Sequence, residues 1–289
     1  MLNVFLCICC SVAVSILLKL ARRYQIDIFQ AITWNYSMAI VLTWIFLKPQ
    51  LTHLHSSPFY IYSILGVLLP SLFVVLANSV TTNGIVRTEI AQRLSLFIPI
   101  VSAFMIFGEH LTIMKSIGLI IAFAAVICAI PLGKQRSSGQ KSSPNGWAYL
   151  LTVFLGIGII DVLFKQMATF KTVSFTTSLF MVYVVSFILA MFGLIYRFGT
   201  KKSKFSWPHI LFGWILGVAN FGNILFYIKA QQSLSKHPSL VFSGVDIGVI
   251  VLGSAVGLLL FKEKLSVVNK VGIALAIIAI LFIYLPTIF

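Results

Sequence analysis

Apolar residues run along the chain in unbroken blocks of roughly twenty, each closed by a short polar interval, with none of the alternation that marks a half-buried strand. A helix rises about 1.5 Å per residue, so a block of that length crosses about 30 Å of hydrocarbon. The pattern predicts ten membrane-spanning helices: Leu2–Ala21, Phe29–Leu47, Phe59–Ala77, Gly84–Phe107, Ile113–Leu132, Trp147–Phe164, Phe175–Ile195, Ile210–Ile228, Leu240–Phe261 and Val267–Phe289. Barrel strands are about half as long and alternate in polarity, which argues against a β-barrel. The expected fold class is an all-α membrane protein.

The connections are short. The longest, GKQRSSGQKSSPNG from Gly133 to Gly146, is a Ser/Gly-rich basic linker near the midpoint, dividing residues 1–132 from residues 147–289. No stretch remains for a soluble domain. The first block lacks a positively charged leader and a small-residue cleavage site, so it is expected to stay as a helix, with Met1 beginning the mature protein.

Composition agrees with the pattern: 60% of the 289 residues are hydrophobic, 13% aromatic and only 9% charged. A water-soluble surface needs about a quarter charged residues, whereas a lipid-facing one does not. A net charge of +15 would point a soluble protein toward nucleic acid. On membrane helices it is the ordinary basic flank, and nucleic acid is not an expected partner.

The chain also repeats itself. FGEHLT at residues 107–112 returns as FKEKLS at residues 261–266, and subtracting 154 carries Phe261, Glu263, Leu265 and Gly272 onto Phe107, Glu109, Leu111 and Gly118. Nearer the front of each half the offset is 146, carrying Lys165 onto Lys19 and Phe175 onto Phe29. Blocks one to five thus pair with six to ten. An odd number of spans per unit makes the second half enter the membrane from the opposite side. Inverted repeats of this kind build secondary transporters, because two equivalent packings of the halves give outward-open and inward-open states of similar energy.

Ten spans in a five-plus-five duplication, each fourth span closing on GE or KE before a shorter helix with an early Gly, resemble the drug/metabolite transporter superfamily, and its EamA-like branch in particular. Lys262 stands where the family pattern has a second Gly before Glu263. The resemblance implies a helix bundle around a central cavity that moves small organic metabolites or drugs across the cytoplasmic (inner) membrane, with no catalytic residue and no cofactor. Small relatives rely on a Glu in their first helix; this first block has none, so their form of proton-coupled antiport is not implied. H⁺ and Na⁺ both remain open as coupling ions.

Ionisable groups inside the blocks are the first site candidates, since a charge near the bilayer centre costs about 2.5–3.5 kcal/mol on insertion scales. Glu89 and Arg93 are four residues apart on one helical face with Gln92 beside them, and Arg93 lies about 13 Å in from Gly84. A cavity lining and a structural ion pair are both open readings. Asp161 and Lys165 repeat the spacing. Lys19 and Lys165 are near block ends and are expected to snorkel, while Asp161 is deeper. Asp246 has no opposite charge on its own helix and is expected to face the interior.

Helix breakers are the second pointer. Pro99 interrupts the fourth block, and adding 154 lands on Gly253 of the ninth, which suggests paired hinges. Gly244, Gly248, Gly253 and Gly257 also form a small-residue ridge, read as close helix packing at Gly244 and Gly248. Trp34, Asn35, Tyr183, Trp214, Asn220, Asn223 and Tyr227 complete a plausible pocket for amphipathic or cationic organic molecules. Tyr227, near a block end, also fits an interfacial anchor.

Other features carry less. CICC at Cys7, Cys9 and Cys10 lies inside the first block and reads as small apolar filler rather than a metal site. His53 and His55 sit in a loop without a third ligand. There is no nucleophile with its base, phosphate loop or paired-His motif, so an enzyme is not expected. The readings from another class are an intramembrane enzyme or a membrane sensor. Orientation has two answers: the Lys and Arg count puts both termini outside the cytoplasm, whereas the family resemblance puts them inside.

Overall fold

The computed structural model describes residues 2–50, 59–83, 85–109, 112–129, 146–170, 173–200, 204–261 and 267–288, apart from a few side chains within them, among which are those of Lys19 and Glu89. Every regular element among these residues is helical: α1 (Leu2–Arg23), α2 (Ile28–Leu42, prolonged by a π-helical turn, Thr43–Leu47), α3 (Phe59–Asn83), α4 (Ile85–Leu94), α5 (Phe97–Met105), α6 (Ile113–Ala129), α7 (Gly146–Ala168), α8 (Phe175–Gly199), α9 (Trp207–Ser233), α10 (Pro238–Phe261) and α11 (Val267–Ile288). By length and composition, six stretches among the described residues suffice to cross a membrane: Ile28–Leu47, Phe59–Leu76, Gly146–Ala168, Phe175–Gly199, Trp207–Ser233 and Pro238–Gly257. Shorter apolar stretches lie at Leu2–Leu18, Ala91–Met105, Ser116–Ala125 and Lys270–Ala279.

The distribution of side chains is that of a membrane protein. On α9, Leu211, Trp214, Ile215 and Val218 are exposed at helical spacing, while Gly213, Leu216, Gly217, Ile224, Leu225 and Ile228 are buried. Both faces are apolar, so the outer one has no use for water and is suited to lipid. Gly213 and Gly217 let α9 lie directly on α2: a Cβ on Gly217 would come within 2.7 Å of the Asn35 carbonyl oxygen and of Met38 Cβ. This is the close approach that small residues permit between membrane helices.

Local sequence fixes the helix ends. Asp27 caps α2 by accepting the Phe29 N–H at 2.9 Å, and Ser174 caps α8 by accepting the Thr176 N–H at 3.3 Å. The fourth block is two helices, not one. Pro99 has no N–H to give the Ser95 carbonyl, which instead accepts from Ile98 at 3.0 Å, and the Ser95 hydroxyl turns back onto the Gln92 carbonyl at 2.6 Å. Proline alone does not explain the break, because Pro70 lies inside an uninterrupted α3. At residue 95 a side-chain hydroxyl also competes for the backbone, whereas the corresponding position before Pro70 is Gly66, which has none.

The matched break expected at Gly253 is absent: α10 runs unbroken through it, and a Cβ there would meet nothing within 4 Å. Gly248, by contrast, is a packing position, where a Cβ would strike the side chain of Ile8 on α1.

The principal helix contacts are paired. α1 packs on α9 and α10 as α7 packs on α3 and on α4 with α5. α2 packs on α9 as α8 packs on α3; α3 meets α4 as α9 meets α10; α2 meets α8, and α6 meets α11. Exchanging α1 with α7, α2 with α8, α3 with α9, α4 and α5 with α10, and α6 with α11 leaves these contacts unchanged.

Candidate functional site

Within this apolar packing, α10 buries nearly every residue from Pro238 to Ile250, yet Asp246 keeps 30% of its side-chain surface accessible. A group that stays accessible in so buried a stretch borders a space between the helices. Across it, Arg93 of α4 places Nη1 3.6 Å from Asp246 Oδ1, looser than the 2.7–2.9 Å of a tight charge-assisted bond.

Asp161 of α7 belongs to the same group, close enough to Asp246 for the two charges to repel. Its Oδ1 accepts the Tyr227 hydroxyl of α9 at 3.2 Å. Tyr227 is held by rings on both sides, Phe164 edge-on at 6.3 Å and Phe242 tilted at 6.5 Å. It is a buried core residue, not an interfacial anchor. On the α1 side Ser11 accepts through its hydroxyl from Asn223 Nδ2 at 2.5 Å. Cys7 itself is fully buried in the hydrophobic core.

Of the residues proposed from sequence, the structure therefore joins Arg93, Asp161, Asp246, Asn223 and Tyr227. Gln92 contributes its carbonyl to the α4–α5 break, beside Arg93. Asn220 is half-buried on α9 and makes no hydrogen bond among the described residues. The Glu89 side chain lies outside the described residues. Trp214 is on the outer face, 39% exposed, donating its indole N–H to Ser37 at 3.3 Å.

Tyr36 of α2 and Tyr183 of α8 make a second polar contact, while Trp34 and Asn35 lie on the side of α2 that meets α9. Tyr36 and Tyr183 are fully buried neighbours, and neither hydroxyl has a hydrogen-bond partner among the described residues. The same holds for the Trp34 indole N–H, Asn35 Oδ1 and Ser186 Oγ. Buried orphans of this kind are costly, and they mark a place where water or another conformation supplies the missing partners.

Lys165 overturns the snorkelling expectation. It is fully buried, donates from Nζ to the carbonyls of Gln231 at 3.2 Å and Ser235 at 3.1 Å, and sits 5.7 Å from the centre of the Phe107 ring. Its cation thereby meets the negative end of α9. Lys19, its counterpart, has a side chain outside the described residues.

Beside it, the phrase FGEHLT finds its use. Gly108 takes φ +67°, a left-handed turn natural to glycine, and Glu109 then reaches the start of α10. Glu109 Oε2 accepts the Ser239 N–H at 2.8 Å, and Oε1 the Ser239 hydroxyl at 2.6 Å, with His237 Nδ1 3.8 Å away. A carboxylate from one half caps a helix of the other. Glu263 lies outside the described residues.

Two pairings escaped the sequence reading although a signal was present. Counted from the first residue of their helices, Arg93 and Asp246 both stand ninth, in α4 and α10. Tyr36 and Tyr183 both stand ninth too, in α2 and α8. Aligning the halves helix by helix, rather than by two fixed offsets, would have brought out both pairs.

No protein-family model matches the chain. It is 42% identical over 289 residues to an uncharacterized protein of Haemophilus influenzae, covering 98% of this chain and 97% of that protein. It also resembles a solved crystal structure with a TM-score of 0.76 at 13% identity, over 99% of this chain and 96% of that one. At that identity the likeness shows a shared fold.

Proposed function

We infer that the chain, which belongs to one family with the Haemophilus influenzae protein, is a secondary transporter of small organic molecules that works by alternating access in the cytoplasmic membrane. On this reading the architecture is ten membrane spans in two inverted five-helix repeats, as in the EamA-like branch of the drug/metabolite transporters, with the fourth span made of α4 and α5. The exchange of equivalent helices that leaves the principal contacts unchanged supports the duplication. The odd number of spans per repeat supports the inversion.

The observation that carries the reading is the Arg93–Asp246 contact. Two oppositely charged residues at equivalent helix positions meet and stay partly accessible, with Asp161 and Tyr227 close by. Charges in an apolar bundle are expensive, and a lattice ion pair is best packed tightly. This one is loose and partly accessible, as suits groups that a passing solute must reach.

The test begins with a thermal-shift screen of the purified protein against amino acids, nucleosides, sugars and cationic drugs, because a ligand stabilises the state it binds. Hits are then followed into proteoliposomes with wild type, Asp246→Asn and Arg93→Gln. Transport is expected to fall at least about tenfold in both variants, which corresponds to about 1.4 kcal/mol, with melting temperatures close to wild type. Variants that melt several degrees lower yet transport normally would return both residues to the scaffold.

A further inference from the structure

The interior site has an imbalance of charge that its own residues do not resolve. Among the described side chains it holds two carboxylates, Asp161 and Asp246, against one guanidinium, and Arg93 leans on Asp246. Asp161 has no cationic partner among the described residues; its one polar contact is the Tyr227 hydroxyl. A second orphan points to the same place. Gln231, one helical turn beyond Tyr227 and fully buried, lies against the Tyr227 hydroxyl, yet neither of its amide atoms reaches hydrogen-bonding geometry with any described group. A half-buried carboxylate without a cation among the described residues, beside an unsatisfied amide and an accessible space, is a site arranged for something that arrives from outside.

The walls narrow the chemistry. Tyr227 packs against Phe164 and Phe242, an aromatic flank to the carboxylate it binds, and Ser11 and Asn223 add small polar groups. A bare metal ion would gain little from three aromatic rings, and an anion would be repelled by both aspartates. An ammonium on a small apolar body gains from all of them, through charge-assisted hydrogen bonds to the carboxylates and stacking or cation–π contact with the rings.

We propose that this site binds a small protonated amine, with its ammonium group between Asp161 and Asp246 and its apolar body against Tyr227, Phe164 and Phe242. The proposal rests on the reading of the chain as a transporter and names the cargo class of that same site.

The test uses three probes of one shape and different charge: phenethylamine, 2-phenylethanol and 3-phenylpropionate. Each is titrated into the purified full-length protein in detergent, with sodium chloride as a fourth arm. Phenethylamine is expected to raise the melting temperature in a dose-dependent way while the other three do not. Asp161→Asn is expected to weaken its binding at least tenfold, with the ligand-free melting temperature unchanged or higher, because the substitution removes an uncompensated charge; a merely structural aspartate would lower it. Asp246→Asn serves as the second variant. The proposal is overturned by equal or greater stabilisation from the carboxylate or from sodium, by no response to millimolar amine, or by amine affinity that is unchanged in both variants. Uptake of the same probes into proteoliposomes, measured against protein-free vesicles, separates the two levels. Amine bound in the expected way but never carried removes the transporter and keeps the site, whereas carriage of the carboxylate keeps the transporter and removes the amine.

Discussion

Glu109 illustrates how a short polar phrase acts across a fold. Its carboxylate accepts both the backbone N–H and the hydroxyl of Ser239, at the end of α10 where the helix dipole is positive and N–H groups lack intrahelical partners. Glu109→Ala is therefore expected to lower stability by about 1–2 kcal/mol, read by thermal or denaturant unfolding in detergent, with Glu109→Gln losing less because its amide oxygen still accepts one bond. Equal stability of wild type and Glu109→Ala would remove the cap. The position of Glu109 was legible in the repeat, but its task was not, because its partner is 130 residues away and no local pattern links them. Lys165 was misread for a related reason. Proximity to a helix end suggests snorkelling only where that end is free, and here the end of α9 covers it and offers carbonyls instead of water.

At the scale of the element, the helices were largely legible because an apolar block of fixed length has few alternatives in a membrane. Breaks were less so. A proline in sequence gives the same signal at residue 70 and residue 99, and only the second, helped by Ser95, divides its helix. The helix break thus lies between α4 and α5, adjoining Arg93, with no counterpart break in α10. Pro99→Ala returns an N–H that can bond the Ser95 carbonyl, so stability is expected to hold or rise while the transport rate falls. Gly253→Ala is expected to raise stability by about 0.5–1 kcal/mol, as Ala does over Gly inside a helix, and to leave transport near wild type, since the new methyl meets open space. Melting temperature and transport rate measured on both variants decide the matter; full transport in Pro99→Ala would deprive the break of mechanical meaning.

For the whole molecule, the two pairs at equivalent helix positions fall where the halves face each other. Arg93 meets Asp246 and Tyr36 neighbours Tyr183, the first pair charged and partly accessible, the second closed and unsatisfied. Two halves that rock against each other can satisfy the two tyrosine hydroxyls in one state and strand them in another. The phrases that recur at offsets of 154 and 146 were visible in the sequence, but the meeting of these pairs was not, because register between helices depends on loop lengths that shift the offset along the chain.

Alternating access is the central claim, and it can be tested without knowing the cargo. Asn223→Cys is introduced at the interior site after replacement of the native Cys7, Cys9, Cys10 and Cys128 by serine, with an unchanged elution profile and a cooperative melt as the condition for using the protein. Right-side-out and inside-out vesicles are then exposed to a membrane-impermeant thiol reagent, and the extent of labelling at residue 223 is followed over time. Labelling from both faces is the predicted result, because each half opens the site in turn; labelling from one face only, or from neither, would contradict the account.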